Sequence, residues 1–189
     1  MFELVTPHRE YHRSFLAAAD EHIAAGEEHY AGILVWPADR TFAGKEFTRD
    51  GLESSEVFAE YVRFLADDRL AGSPRPAHFV PATTLWMVDG DEFLGRISVR
   101  HQLTTFLLEV GGHIGYSVRP SARRHGHATR ALRMMLPMCA DLGIDDVLVT
   151  CDDDNEASRR TIELNGGVLE DVRGKKMRFW IPSGGRTPS

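Results

Sequence analysis

Gly111-Gly112-His113-Ile114-Gly115-Tyr116-Ser117-Val118-Arg119-Pro120-Ser121-Ala122-Arg123-Arg124-His125-Gly126-His127-Ala128 is the stretch whose reading decides the fold. Its first half is a strand that breaks at Arg119-Pro120. Its second half passes through two arginines and a glycine and opens into a helix. That layout is an anion cradle. A glycine at a helix start lets the backbone approach a phosphate closely, and free N–H groups with the positive helix end supply the field. Flanking arginines add bidentate contacts.

Downstream, a helix is expected from about His127 to Leu142, with Ala128, Leu132, Met135, Leu136 and Cys139 facing inward and Gly143 ending it. Pro137 should bend it, far enough along to spare its first turns. Asp146 to Cys151 is a nearly continuous apolar strand, as expected for one buried on both faces beside a parallel neighbour. Strand, helix and strand then make a right-handed crossover. Asn155 caps a following helix that runs to about Leu164 and stops at Asn165-Gly166-Gly167. Val168–Val172 and Lys176–Ile181 form a closing hairpin, and the polar tail from Pro182 to Ser189 reads as disordered.

Upstream, Thr83–Val88 and Glu92–Arg100 are strands joined by the turn Asp89-Gly90-Asp91. The second strand puts Ile97 and Val99 on one face, and Arg96, Ser98 and Arg100 on the other. His101 to Val110 fits either a buried turn or a short helix. Gly72 to Pro81 is too rich in proline for regular structure. Before it lie two helices. One spans Glu10 to about Ala25 with Phe15, Leu16, Ala19 and Ile23 as its stripe. The other is capped by Ser54 or Ser55 and carries Val57, Phe58, Tyr61, Val62 and Leu65. A looser segment holding Trp36-Pro37, Phe42 and Phe47 joins them.

The chain has 189 residues, 42% hydrophobic and 26% charged, enough for one globular domain with a sizeable core. Its formal net charge of -6 argues against nucleic-acid or anionic-membrane partners, which require a basic surface. Cys139 and Cys151 have no metal-like spacing and read as buried thiols in a reducing compartment. No secretory leader or bilayer-length apolar run is visible, which implies a cytoplasmic protein. His8, His12, His22 and His29 make no metal set, and Asp152-Asp153-Asp154 reads as a solvated turn. No Gly-Lys-Ser/Thr follows the loop and no Gly-x-Gly-x-x-Gly is present, so neither a Walker loop nor a dinucleotide fingerprint applies.

Arg123-x-x-Gly126-x-Ala128 resembles the signature of the GNAT superfamily of acyl-CoA-dependent N-acetyltransferases: Arg or Gln, two residues, Gly, one residue, Gly or Ala. In that family the signature lies between the fourth strand and the third helix. Ile114 to Pro120 is similar to the strand that leads into it, and Asn155-x-x-Ser158 with Gly166-Gly167 to the later motif. Gly111 to Tyr116, Ser158-Arg159-Arg160 and Asn165-Gly166-Gly167 together resemble a group of bacterial predicted acetyltransferases of undefined substrate. The likeness covers about Thr84 to Ile181.

The resemblance implies an α/β (α+β) GNAT fold. Its mixed sheet of about six to seven strands splays between the family's fourth and fifth strands, flanked by about four helices. It implies one domain over residues 1–182, with 1–80 on the acceptor side, 84–181 as the acetyl-CoA-binding core, and 183–189 as tail. Acetyl-CoA is then the co-substrate, with no metal, and the acceptor is a small-molecule or peptide amine; the chain is a monomer or homodimer.

The resemblance also implies site roles. Backbone N–H near Ser117 would hold the oxyanion, and Val118 and Arg119 would pair with the pantetheine amides. Arg123, Arg124, His125, Gly126, His127, Ala128 and Thr129 would take the pyrophosphate, and Asn155 and Ser158 would meet the pantetheine arm. The family's glutamate base, ten residues before the signature, corresponds to His113, with Glu109 and His101 as weaker candidates. The family's thiolate-protonating tyrosine corresponds to Ile162, so that role is vacant or moved, with Ser158 nearby. A non-catalytic acyl-CoA-binding module and an interaction protein that keeps the fold are the alternative readings.

Overall fold

A computed structural model describes residues 1–184. Seven strands form one mixed sheet in the order β1-β4-β5-β6-β7-β9-β8. They are β1 (Phe2–Val5), β4 (Ala82–Asp89), β5 (Glu92–Arg100), β6 (Ile114–Val118), β7 (Asp146–Asp152), β8 (Val168–Arg173) and β9 (Lys176–Pro182). A separate hairpin pairs β2 (Leu34–Trp36) with β3 (Lys45–Phe47). Four α-helices flank the sheet: α1 (His12–Ala24), α2 (Ser55–Asp67), α3 (His127–Asp141) and α4 (Glu156–Glu163). This is the GNAT fold.

Alternation along the strands divides the interior in two. Leu85, Met87, Ile97 and Val99 face one layer with Leu132, Met135 and Cys139 of α3. Trp86, Val88 and Phe93 face the other with Phe15 of α1 and Phe58 and Tyr61 of α2. Phe15 lies at the centre of this second layer, its ring centroid 5.1 to 5.5 Å from those of Phe58, Tyr61, Trp86 and Phe93.

Several sequence expectations are corrected. Residues 2–5 form an edge strand against β4, and the looser segment contains the β2–β3 hairpin; both are too short to carry a periodic signal. The buried stripe of α1 is Phe15, Ala18, Ala19 and His22, while Ile23 is exposed, so the helix is rotated from the expected face. Residues 107–111, in the segment left open between a buried turn and a short helix, make one π-helical turn. Ser183 lies buried, with its N–H and hydroxyl both donating to Asp145 O, so the ordered chain runs past Pro182. Residues 185–189 of the expected tail lie outside the described residues.

β6 is central because it loses its neighbour. It pairs antiparallel with β5 along its whole length, but with β7 only at Ile114↔Val149. By contrast β7 pairs with β9 from Asp146 to Asp152. Beyond Ile114, one edge of β6 is open.

Candidate active site

At the end of that open edge the chain turns through Pro120–Ala122 into the loop before α3. Arg124 has φ 66°, the sole non-glycine residue with positive φ among the described residues, and Gly126 has φ 76°. These left-handed turns point successive amides the same way, which is the geometry of an anion nest. Among the described residues, nothing accepts a hydrogen bond from the backbone N–H of Arg124, His125, Gly126, His127, Ala128 or Thr129. The first intrahelical bond is Arg130 N–H to Gly126 O, 3.0 Å. The unpaired donors at the head of α3 therefore have the form and field that a phosphate requires.

The flanking side chains are used differently from the expectation. Glu27 takes the Arg123 guanidinium through both carboxylate oxygens, while Arg123 Nε donates to Val118 O at 3.2 Å. The Arg123 hydrogen bonds hold Glu27 down at about 2. Arg124 is exposed with no side-chain partner among the described residues, so it is the arginine left free to meet an anion. His127 stacks on Phe2 at 5.3 Å, and His125 lies against Ala122 O at 3.3 Å.

Arg119 is turned inward. Its backbone N–H donates to Leu94 O at 2.8 Å, a β5 ladder bond that leaves it nothing to offer a cofactor. Its buried guanidinium pairs with Glu21 and Glu92 and donates to Phe93 O at 3.2 Å. Burial would raise the Glu21 carboxyl, but hydrogen bonds from Arg119 and Ser121 outweigh it and bring it down to about 2.

Donor direction alternates along an antiparallel pair. Arg119 N–H to Leu94 O and Arg100 N–H to His113 O mark the residues of β6 that face β5. Gly115 and Ser117 share that parity, so the amides turned to the open edge belong to Tyr116 and Val118. The open-edge amides nearest Ser117 are thus those of Tyr116 and Val118, and the Ser117 side chain faces α1.

His113 closes the sheet where it is about to part. Its N–H donates to Leu148 O at 2.7 Å, and its Nδ1 accepts from Leu148 N–H at 2.9 Å. Burial and the Arg100 charge lower its pKa to about 4. The lone pair is spent on the backbone and the other ring nitrogen carries hydrogen, so His113 is a structural residue and a poor proton acceptor. Glu109 is paired with Arg173, and His101 bonds Thr83 Oγ1 at 2.8 Å.

A histidine that sequence reasoning passed over occupies the α1 side. His22 is buried, and its Nδ1 lies 3.1 Å from Glu27 Oε2. With Nδ1–H donating to the carboxylate, Nε2 keeps its lone pair. That nitrogen has no partner among the described residues. The ring lines a cavity of about 10 Å³ with Tyr30, Phe93, Arg96 and Ser117, room for about one water. Burial lowers its pKa, and the charges of Arg123 and Arg96 add to this against the opposing Glu27. The sequence signal was available: residues 15, 18, 19 and 22 follow the helical spacing of a buried face.

On the other side of β6, Asn155 Oδ1 accepts from Ser158 N–H at 3.0 Å, capping α4. Ser158 Oγ lies 2.8 Å from the Tyr116 hydroxyl, whose pKa burial pushes up to about 12. Ile162, one turn after Ser158, is fully buried and packs under Gly167. Ile162, expected to correspond to the family's tyrosine, is thus a core residue, and the Tyr116 phenol meets the same helix at Ser158. Cys139 and Cys151 are both buried with raised pKa values, Cys139 to about 11, and are inert thiols. Among the described residues no three His, Cys, Asp or Glu side chains converge as a metal would require, and no helix is long and apolar enough to cross a membrane.

Comparison with known proteins bears on this arrangement. Residues 24–168 match a family model described as an acetyltransferase (GNAT) domain. The solved structure of the microcin C7 self-immunity acetyltransferase MccE, in complex with acetyl-CoA and AMP, superposes with a TM-score of 0.60 at 12% identity, over 96% of this chain and 92% of that one. RimL, the ribosomal L7/L12 alpha-N-protein acetyltransferase, in complex with coenzyme A, gives 0.59 at 16% identity over 95% and 92%. Mycobacterium smegmatis RimJ in complex with CoA-disulfide gives 0.58 at 17% identity over 90% and 78%. At these identities the likeness is one of fold. No curated sequence matches the chain.

Proposed function

We propose that this chain, which belongs to the GNAT acetyltransferase family and is therefore an acyltransferase, moves an acetyl group from acetyl-CoA to a primary amine by direct attack. The observation that carries the reading is the row of unpaired N–H groups from Arg124 to Thr129, set beside a strand edge that has parted from its neighbour. The pyrophosphate lies on those amides, with Arg124 as the flanking charge. The pantetheine arm follows the open edge of β6 and meets the amides of Tyr116 and Val118, with Asn155 and Ser158 on its far side.

In the reaction, the amine nitrogen bonds to the thioester carbon, the carbonyl oxygen takes negative charge, and the edge amides hold it. The C–S bond then breaks and the thiolate takes a proton from the Ser158–Tyr116 hydroxyl pair. His22 receives the amine proton through Nε2, directly or through one water in its cavity, with Glu27 stabilising the imidazolium. The N-terminal part, residues 1–80, forms the acceptor side. RimL is named for acetylating a protein α-amine, which supports a peptide or small-molecule amine as acceptor. The free thiols support a cytoplasmic location.

Release of free CoA across a panel of amines and peptides tests the reading, with calorimetry for cofactor affinity. Arg124→Glu is expected to weaken CoA binding at least about tenfold; unchanged affinity would sink the cradle. Cofactor binding with no amine ever turned over would instead support a non-catalytic acyl-CoA-binding module. His22→Gln should lower kcat sharply and leave CoA affinity alone. In the wild type, the acid limb of kcat should lie below the usual histidine value of 6.5. A limb that persists in His22→Gln removes His22 from the proton path.

A further inference from the structure

The face of the sheet beneath α1 and α2 carries an unusual charge. Arg96, Ser98 and Arg100 alternate along it on β5; Arg96 and Ser98 stand opposite Ser117 and Gly115 of β6, and Arg100 N–H donates to the O of His113, just before that strand. Ser98 Oγ also meets Thr84 Oγ1 at 2.8 Å. Both arginines are half-buried, and neither has a carboxylate partner among the described residues. Among the described residues every other arginine that is not exposed has one: Arg49 with Asp20, Arg75 with Asp68, Arg119 with Glu21, Arg173 with Asp171, and Arg178 with Glu170. Carboxylates are not scarce, since the chain carries 28 acidic residues against 22 basic ones. Elsewhere the fold neutralises its sheltered cations; here it leaves two.

They also converge. The Arg100 guanidinium leans back over Gly115, where a Cβ would lie 3.9 Å from Nη1 and 4.0 Å from Nη2. Its Nη1 donates to Gly111 O and Gly112 O, both at 3.2 Å, while Nε and Nη2 have no partner among the described residues. Arg96 stands opposite Ser117, one same-face step along β6 from Gly115, a backbone spacing of about 7 Å at ordinary strand rise. It lines the cavity of His22 and Ser117. Two unneutralised guanidiniums therefore flank the stretch of β6 where the sheet opens.

Such a floor selects for charge. It repels a polycation, and it favours the neutral form of an amine held above it, the form that attacks a thioester. A sheltered cation without a counter-ion is costly unless a ligand supplies the anion. We propose that the acceptor carries an anionic group near its amine, a carboxylate or phosphate ester, held by the paired forks of Arg96 and Arg100. This rests on the acetyl-transfer reading for the place of the amine, but not for the anion site itself.

Two matched pairs test it by calorimetry on the CoA-saturated protein: an amino acid against its amide, and an amino-sugar phosphate against the free amino sugar. The anionic member of at least one pair should bind about tenfold tighter or more. The pair that discriminates tells carboxylate from phosphate. Arg96→Gln should reduce the preference to under about threefold. Arg100→Lys, which keeps charge but loses the fork, should weaken it in part. Equal binding within both pairs, no measurable binding of any of the four, or a preference that survives Arg96→Gln would each overturn the site. CoA release is followed in parallel. An Arg96-dependent anion preference without release keeps the site and counts against acetyl transfer. Release from neutral amines alone does the reverse.

Discussion

The loop at the head of α3 and the face beneath α1 lie on either side of one strand, and they are built from different materials. The loop offers main chain: a row of unpaired amides shaped by two left-handed residues, Arg124 and Gly126. The face offers side chains brought from far apart, with His22 from α1, Arg96 and Arg100 from β5 and Ser117 from β6. Main-chain chemistry suits a ligand part common to many enzymes, such as a pyrophosphate, because amides recognise charge and shape without depending on neighbouring side chains. Side-chain convergence is what can individualise a chain, and here it falls on the acceptor. Two ion pairs tie the regions together: Glu21 to Arg119 and Glu27 to Arg123.

Cutting the deeper tie should have the largest effect. Arg119→Met leaves Glu21 facing a buried gap, and unfolding in urea at pH 7 should show a loss of about 3 kcal/mol, the cost of breaking a sheltered pair. The pH dependence gives a second readout. Glu21 and Glu27 titrate near 2 in the folded protein, against an ordinary 4.5, so the unfolded chain binds more protons in between. Their stabilisation is fully present above 4.5 and is lost as pH falls toward 2. Arg119→Met should shrink the Glu21 share of that slope, leaving the part held by Ser121, and keep the Glu27 share. An unchanged slope would mean the regions are joined by packing alone.

Breaking the loop by itself comes next. Gly126→Pro deletes an amide and demands a negative φ where the chain holds 76°. CoA affinity should fall about a hundredfold, about 2.8 kcal/mol. The reversed φ also strains the head of α3, so affinity is compared well below a melting temperature expected to fall by a few degrees. A small change in affinity would show that side chains, not amides, carry the cofactor, and would erase the contrast between the regions.

The same contrast explains what was legible beforehand. The cradle could be read because glycine, strand break and helix start are local, and local geometry dictates what amides do. Asn155 was legible as a cap for the same reason. His113 was misread because a position on a strand does not reveal which bonds the ring takes; here Leu148, 35 residues on, takes it. Arg119 looked like a cofactor residue because its partner Glu21 is 98 residues away. The polar face of β5 was visible in its alternation, but the absence of counter-charges around Arg96 and Arg100 depends on every element packed against them. His22 was hidden by a one-residue error in the phase of α1.

The smallest effect probes the far side of β6, where the Tyr116 hydroxyl meets Ser158. Tyr116→Phe keeps the ring that packs on the core and removes only the hydroxyl bonded to Ser158. Stability should change by about 1 kcal/mol. If the hydroxyl pair protonates the thiolate, kcat should fall about three- to tenfold, because a thiolate is stable enough for solvent to replace the donor in part. CoA affinity should stay within about twofold, since the amides of Tyr116 and Val118 are untouched. The solvent isotope effect on kcat should change with the donor, which a packing role would not produce. Equal losses in kcat and CoA affinity with an unchanged isotope effect would make the hydroxyl a brace for α4, and the proton would then come from water. In that case the acceptor face would hold all the side-chain chemistry of the site, and the division between main chain and side chain across β6 would be complete.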